Sequence, residues 1–177
     1  KLNRRFMRAF ENFGVTKMDE LNVIRAAKKM YSGLDATAKK SFLRIARSIY
    51  KDADDAFIFL ILDDYDPVVK YVYTHEVDRK RARFAEAFIA SPNKRAEIRT
   101  ALRLWSAMIA QYTINVTDAA TIQSYKDSGV THVRWVSVED KRRCDDCRKR
   151  DGVVYGIDKI PPKPHIGCRC YVVPYKG

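Results

Sequence analysis

No stretch of this chain approaches the roughly 18 consecutive apolar residues that a membrane-spanning helix needs. The densest run, AFIFLIL from Ala56 to Leu62, falls far short. Also missing are a glycine-rich phosphate loop, a Gly-x-Ser-x-Gly elbow and a His-Glu-x-x-His helix, which excludes the commonest nucleotide, acyl-transfer and metalloprotease sites. Histidine is scarce, with three in the chain. His75 stands beside Glu76 on a polar segment and His132 lies within an alternating one, so both read as surface side chains. The deaminase pattern fails as well, because Arg143 rather than proline precedes Cys144 and no His-x-Glu comes before it. Internal repeats and low-complexity segments are absent. The chain starts at Lys1 rather than methionine, which points to a processed protein or a piece of a longer one. These absences argue against an enzyme.

What is present is charge of one sign. The formal net charge is +12, and the basic excess is spread along the chain instead of being gathered in a tail. Such a field suits nucleic acid, an acidic surface or an acidic protein partner, and by itself it selects none of them. The 46% hydrophobic content is that of a globular protein.

The first two-thirds read as helices. Leu2, Phe6, Ala9, Phe10 and Phe13 form one stripe that Gly14 stops. Thr16 and Asp19 resemble a shortened capping box for a helix carrying Met18, Leu21 and Ile24, with Gly33 as its end and Asp35 capping the next. Phe42, Ile45, Ala46 and Ile49 continue at the helical period, and a short apolar helix follows between acidic ends. Asp63, Asp64 and Asp66 read as an acidic loop rather than a cation site. Asp66-Pro67 and Ser91-Pro92 are start signals for two further helices. The first of these crowds Arg79, Lys80, Arg81 and Arg83 together, a patch that could grip phosphate or face an acidic neighbour. The second carries Ile98, Ala101, Leu102, Trp105, Ile109 and Tyr112 on one face. Thr117 and Asp118 read as the start of a last helix, capped by Gly129.

After Gly129 the period changes to two. In VTHVRWVSV, Thr131, Val133, Trp135 and Ser137 share one face, and His132, Arg134 and Val136 the other. VVYG and CYVVPY are two further strand candidates. The fold class is therefore α+β: a mainly helical N-terminal region followed by a small β-rich module.

That module holds every cysteine: Cys144-x2-Cys147, then His165-x2-Cys168-x-Cys170. The pattern could encode a reactive thiol pair, two disulfides or a metal clamp. A redox pair belongs in a βαβ setting that the flanking residues do not offer. A metal suits a module too small for a strong core. Zinc takes four ligands at about 2.3 Å from sulfur, and five are on offer. The preferred set is Cys144, Cys147, His165 and Cys168, with Cys170 in place of His165 as its rival. Either set is closed, which favours structural over catalytic zinc.

Basic residues bracket the first pair: Lys141, Arg142, Arg143, Arg148, Lys149 and Arg150. A zinc ion with three thiolates carries about one negative charge, which part of this cluster would offset. The remainder could touch phosphates, although the glycine- and proline-rich link between the pairs has no room for a base-reading finger helix. A zinc-stabilised nucleic-acid-binding protein is thus one reading.

Trp135, Asp140, Cys144, Cys147, Gly152, Pro161, Pro162, Pro164, His165, Cys168, Arg169 and Cys170, in that order and spacing, resemble the C-terminal domain of the phage head morphogenesis family. These are minor head proteins related to the phage Mu F protein. The family usually has proline directly after the histidine, where this chain has Ile166. The resemblance implies a helical region over residues 1–116 and a Mu F-like zinc-binding module over 117–177. It implies a non-enzymatic component of a tailed phage virion or procapsid, present in the host cytoplasm during assembly, that acts in capsid assembly and in DNA packaging or delivery. Its implied partners are the portal protein, the major capsid protein or both, with phage DNA a further candidate and neither a membrane nor a small-molecule substrate. The cysteines and His165 would then be structural, Trp135 a core residue beside them, and Arg169 a brace for the loop.

Overall fold

The computed structural model describes residues 20–62, 88–165 and 167–176. The stripe around Phe10, the Thr16 cap, the Asp63–Asp66 cluster, the Asp66-Pro67 start and the Arg79–Arg83 patch lie outside these residues. Among the described residues the helices α1 (Glu20–Ile49), α2 (Asp55–Ile61) and α3 (Lys94–Asp127) come first. They are followed by β1 (His132–Val136), a short α4 (Asp145–Arg150), β2 (Val154–Gly156) and β3 (Tyr171–Pro174). A helical N-terminal region and a small C-terminal sheet are therefore both present. No helix among the described residues is long and apolar enough to cross a membrane.

Two expected breaks are absent. α1 passes straight through Gly33, because one glycine costs a helix interior only about 1 kcal/mol and its neighbours are good helix formers. Asp35 does not cap a new helix; it pairs with Lys39 one turn on at 3.3 Å. α3 likewise runs through Thr117 and Asp118. The Thr117 hydroxyl donates to the Thr113 carbonyl at 2.8 Å, and Thr121 does the same to Thr117 at 2.8 Å. Both hydroxyls are satisfied one turn back, so neither is needed as a cap.

The true caps are local. Asp54 starts α2 by accepting from the Phe57 amide at 2.7 Å. Asn93, not Ser91, accepts from Ala96 at the start of α3, and the Ser91 hydroxyl accepts from the Asn93 amide. Gly129 ends α3 with a φ of 77°. Its amide donates to Lys126 O at 2.9 Å and that of Val130 to Tyr125 O at 3.0 Å, the paired bonds of a Schellman cap.

The chain divides into two compact units, residues 1–41 with 64–109 and residues 42–63 with 110–177. In the first, Ala38, Phe88, Ile98, Leu102, Trp105 and Met108 are buried. Met108 takes the inward place expected of Ile109, which is only half-buried. In the second, Phe42, Ala46, Ile58, Val116, Ala120 and Val133 are among the buried residues.

The sheet also belongs to the second unit and has the order β2-β1-β3, antiparallel throughout. β1 is central because its alternation supplies an inner face: Val133, Trp135 and, just beyond the strand, Ser137 are buried, whereas His132 and Arg134 are exposed. Trp135 stands opposite Val172 of β3, and Val133 opposite Tyr155 of β2. The Trp135 and Tyr155 rings meet edge to face at 6.2 Å.

Candidate metal centre

The first cysteine pair is carried by α4. Cys144 is its N-cap, and its sulfur accepts from the Cys147 amide at 3.4 Å. This first helical turn aims two sulfurs in one direction. After α4, Gly152 at φ 77° turns the chain back, and its amide donates to Trp135 O at 2.8 Å. The second cysteine pair arrives from a loop. Gly167, at φ 75°, tightens it, and the Cys168 amide donates to His165 O at 3.2 Å. Cys168 and Cys170 then enter the core with Cys147 and Trp135, and Cys144, Tyr155, Ile160 and Val172 pack against them.

All four cysteines are unbridged thiols. Cys147 Sγ lies 3.3 Å from His165 Nε2 and 3.6 Å from Cys168 Sγ. Donors on the corners of a zinc tetrahedron with bonds of about 2.0–2.3 Å lie roughly 3.3–3.8 Å apart, so these separations fit such a site. Donor atoms mutually within 4.8 Å form two groups, Cys144 with Cys147 and His165, and Cys147 with Cys168 and Cys170. All five candidates thus converge on Cys147. No four of them lie mutually within that distance, so neither expected set is singled out. Burial separates them further: Cys147, Cys168 and Cys170 are buried, Cys144 is half-buried and His165 is exposed.

Electrostatics follow the packing. Amide donors at the start of α4, that of Cys147 first, pull the Cys144 thiol below its ordinary pKa. Burial pushes the Cys147 and Cys168 thiols up. A lowered thiol at a helix start is one mark of a redox pair. The surroundings do not match that reading, because the sheet is antiparallel and the neighbours of Cys147 Sγ are His165 and Cys168.

Much of the basic cluster braces the module. Arg143 pairs with Glu139 at 3.3 Å and with Asp151 at 2.9 Å. Asp151 also accepts from the Ser137 amide at 2.7 Å, and that bond, ahead of Arg143, holds its carboxyl below the usual range. Arg148 pairs with Asp145 at 3.6 Å. Arg150 lies 5.4 Å from the Trp135 ring centroid and donates to Pro162 O at 2.6 Å. Lys141, Arg142 and Lys149 are exposed. Arg169 clasps Asp140, the loop brace that the family resemblance implied.

Two further ties gave no signal in the sequence. Lys163 pairs with Asp118 at 2.7 Å, and Gln111 accepts from the Gly167 amide. Both join α3 to the cysteine loop across a long stretch of chain, which local pattern cannot reveal. Burial raises the Asp118 carboxyl, and Lys163 opposes that shift.

The fold and its cysteine cluster define a small module of antiparallel strands whose thiols gather beside a tryptophan. A family model described as "Phage Mu protein F like protein" matches residues 86–173, which contain α3, β1, β2, most of β3 and all five candidate ligands. Proteins of that family are structural and morphogenesis factors, and no catalytic constellation stands among the described residues. The chain is similar to this family over that stretch. No curated protein and no solved structure matches it.

Proposed function

We propose that the chain is a structural minor head protein of a tailed bacteriophage, acting near the portal in capsid assembly and in DNA packaging or delivery. The observation that carries this reading is the Mu F-like similarity over 86–173, which ends on the same Trp135–Cys147–Cys168–Cys170 core that the structure brings together. Structural zinc, held by Cys144, Cys147 and Cys168 with either His165 or Cys170, would close the loop between α4 and β3. Nothing of the site is then left for a reacting water, which suits an assembly role. Its partners would be the portal protein or the major capsid protein, and its place the virion or procapsid.

Coexpression with the portal and major capsid proteins of the same phage tests this. Co-elution with at least one of them on size exclusion is expected, and elution apart from both overturns the reading. The nucleic-acid alternative has less support, since Arg143, Arg148 and Arg150 are engaged within the module. It predicts salt-dependent DNA affinity at low ionic strength.

A further inference from the structure

The metal centre draws on one face of the sheet. Val133 and Trp135 are buried there, with Tyr155 and Val172 across from them. Directly opposed residues of antiparallel strands share a face, so the same register fixes the other one. It carries His132 and Arg134 of β1, Val154 of β2, and Tyr171 and Val173 of β3. The Tyr175 amide donates to His132 O at 2.9 Å and adds one more position to the ladder. This face is open: His132 and Arg134 are exposed, Tyr171 is 50% exposed, Tyr175 40% and Val154 38%.

Its charge is of one sign. Arg134 and, beyond Tyr175, Lys176 are exposed and have no ion pair among the described residues. No register position of the face holds a carboxylate. The carboxylates nearest along the chain are engaged elsewhere: Asp158 with Lys126 at 2.5 Å, Glu139 with Arg143, and Asp140 with Arg169. Tyr171 and Tyr175, four positions apart on extended chain, stand about 13 Å from one another. Arg134 is opposite Val173, midway between them. Two exposed rings flanking an unpaired guanidinium on an open sheet suit a polynucleotide, whose bases stack on the rings while a phosphate meets the cation. A duplex keeps its base faces covered, so the rings select a single strand. The face has no carboxylate or amide side chain to read a ribose 2′-hydroxyl, so nothing on it favours RNA.

We propose that this face binds single-stranded DNA, with bases stacked on Tyr171 and Tyr175 and the intervening phosphate on Arg134. The contact uses none of the candidate metal ligands and none of the basic residues around α4.

Fluorescence anisotropy of the full chain with labelled oligo(dT) of about 15 nucleotides, titrated at low and rising salt, tests this. The single strand should bind more tightly than a duplex of the same length. Tyr171→Ala and Tyr175→Ala should each weaken binding by about fivefold or more, the loss of one stacked base. Tyr171→Phe and Tyr175→Phe keep the ring and should lose less than the alanine variants. Arg134→Gln should lower the slope of log affinity against log salt by about 0.7, the share of one phosphate on a single strand. All three positions are exposed, and unchanged melting temperatures check that each variant is folded. The double variant Lys141→Gln, Lys149→Gln separates this face from the basic bracket around α4 and should lose less affinity than either alanine variant. No binding at low salt, a duplex or an oligo(U) bound more tightly than oligo(dT), phenylalanine variants as weak as the alanine ones, or a larger loss from the bracket variant each overturns the proposal. Binding is read on the chain alone, without portal or capsid protein, so failure here is distinct from failure of the assembly role.

Discussion

Arg169 holds Asp140 with both terminal nitrogens: Nη2 donates to Oδ1 at 2.7 Å while Nη1 lies against Oδ2. Arg169 sits between two buried cysteines, and Asp140 stands at the turn that leads into α4. The pair therefore ties the two halves of the cysteine cluster together without using any ligand. Asp140 also accepts from the Arg142 amide at 2.8 Å, which shapes the turn itself.

Arg169, ahead of the Arg142 amide, holds the Asp140 carboxyl down at about 2. A carboxyl whose folded pKa is depressed contributes stability above its unfolded value of about 3.9 and loses it as pH falls through the folded value. Wild type should thus lose stability between about pH 4 and pH 2 relative to Asp140→Asn, which lacks this titration. Thermal melts of both proteins across that range check it. At neutral pH, Asp140→Asn and Arg169→Ala should each melt lower than wild type, and the swapped pair Asp140→Arg, Arg169→Asp should recover part of the loss. An unchanged gap between wild type and Asp140→Asn from pH 5 to pH 2 would sink the assignment.

The caps give a second test. Thr117 looks like a helix start in the sequence but sits inside α3, where its hydroxyl bonds Thr113 O. Thr117→Ala should change stability by less than about 0.5 kcal/mol, whereas loss of a working N-cap costs about 1 kcal/mol. Thr117→Pro should cost about 3 kcal/mol or more by breaking a continuous helix. Denaturant titration separates these values, and a large effect of the alanine would show that a cap had been removed.

The left-handed turn that ends α3 is a third. Gly129 has φ 77° and open space around its α-carbon, so an added methyl group meets no neighbour and only the backbone conformation resists it. Gly129→Ala should destabilise by about 1–2 kcal/mol, and Gly129→Asn by less, since asparagine tolerates this region better. Equal costs for the two would point to side-chain crowding instead.

The sequence made the sheet and its cysteine cluster legible because both depend on short-range pattern. Alternation at Val133 and Trp135 set the inner face of β1, and the Cys-x2-Cys and Cys-x-Cys spacings located the cluster. The helix boundaries were less legible. Gly33, Thr117 and Asp118 carry strong local stop or start signals, yet helical hydrogen bonding on both sides outweighs a preference worth about 1 kcal/mol. The ties from Asp118 to Lys163 and from Gln111 to Gly167 could not be read at all, because they depend on where the chain returns in space.

Cys147 carries the last prediction. It belongs to both groups of candidate ligands, and its sulfur has His165 Nε2 at 3.3 Å and Cys168 Sγ at 3.6 Å. If zinc closes the module, Cys147→Ser should abolish stoichiometric zinc in protein purified under reducing conditions, as measured by elemental analysis and native mass spectrometry. Cys168→Ser should do nearly the same. His165→Ala and Cys170→Ser divide the two possible sets: the true ligand should cost about 10–100-fold in metal affinity or more, and the spare one much less. Chelation of the wild type should unfold the sheet while much of the helical signal of α1 and α3 persists, because the closed loop lies entirely after α3. A zinc-free protein with an intact β-sheet signal would overturn the metal reading and leave the buried thiols as core residues beside Trp135.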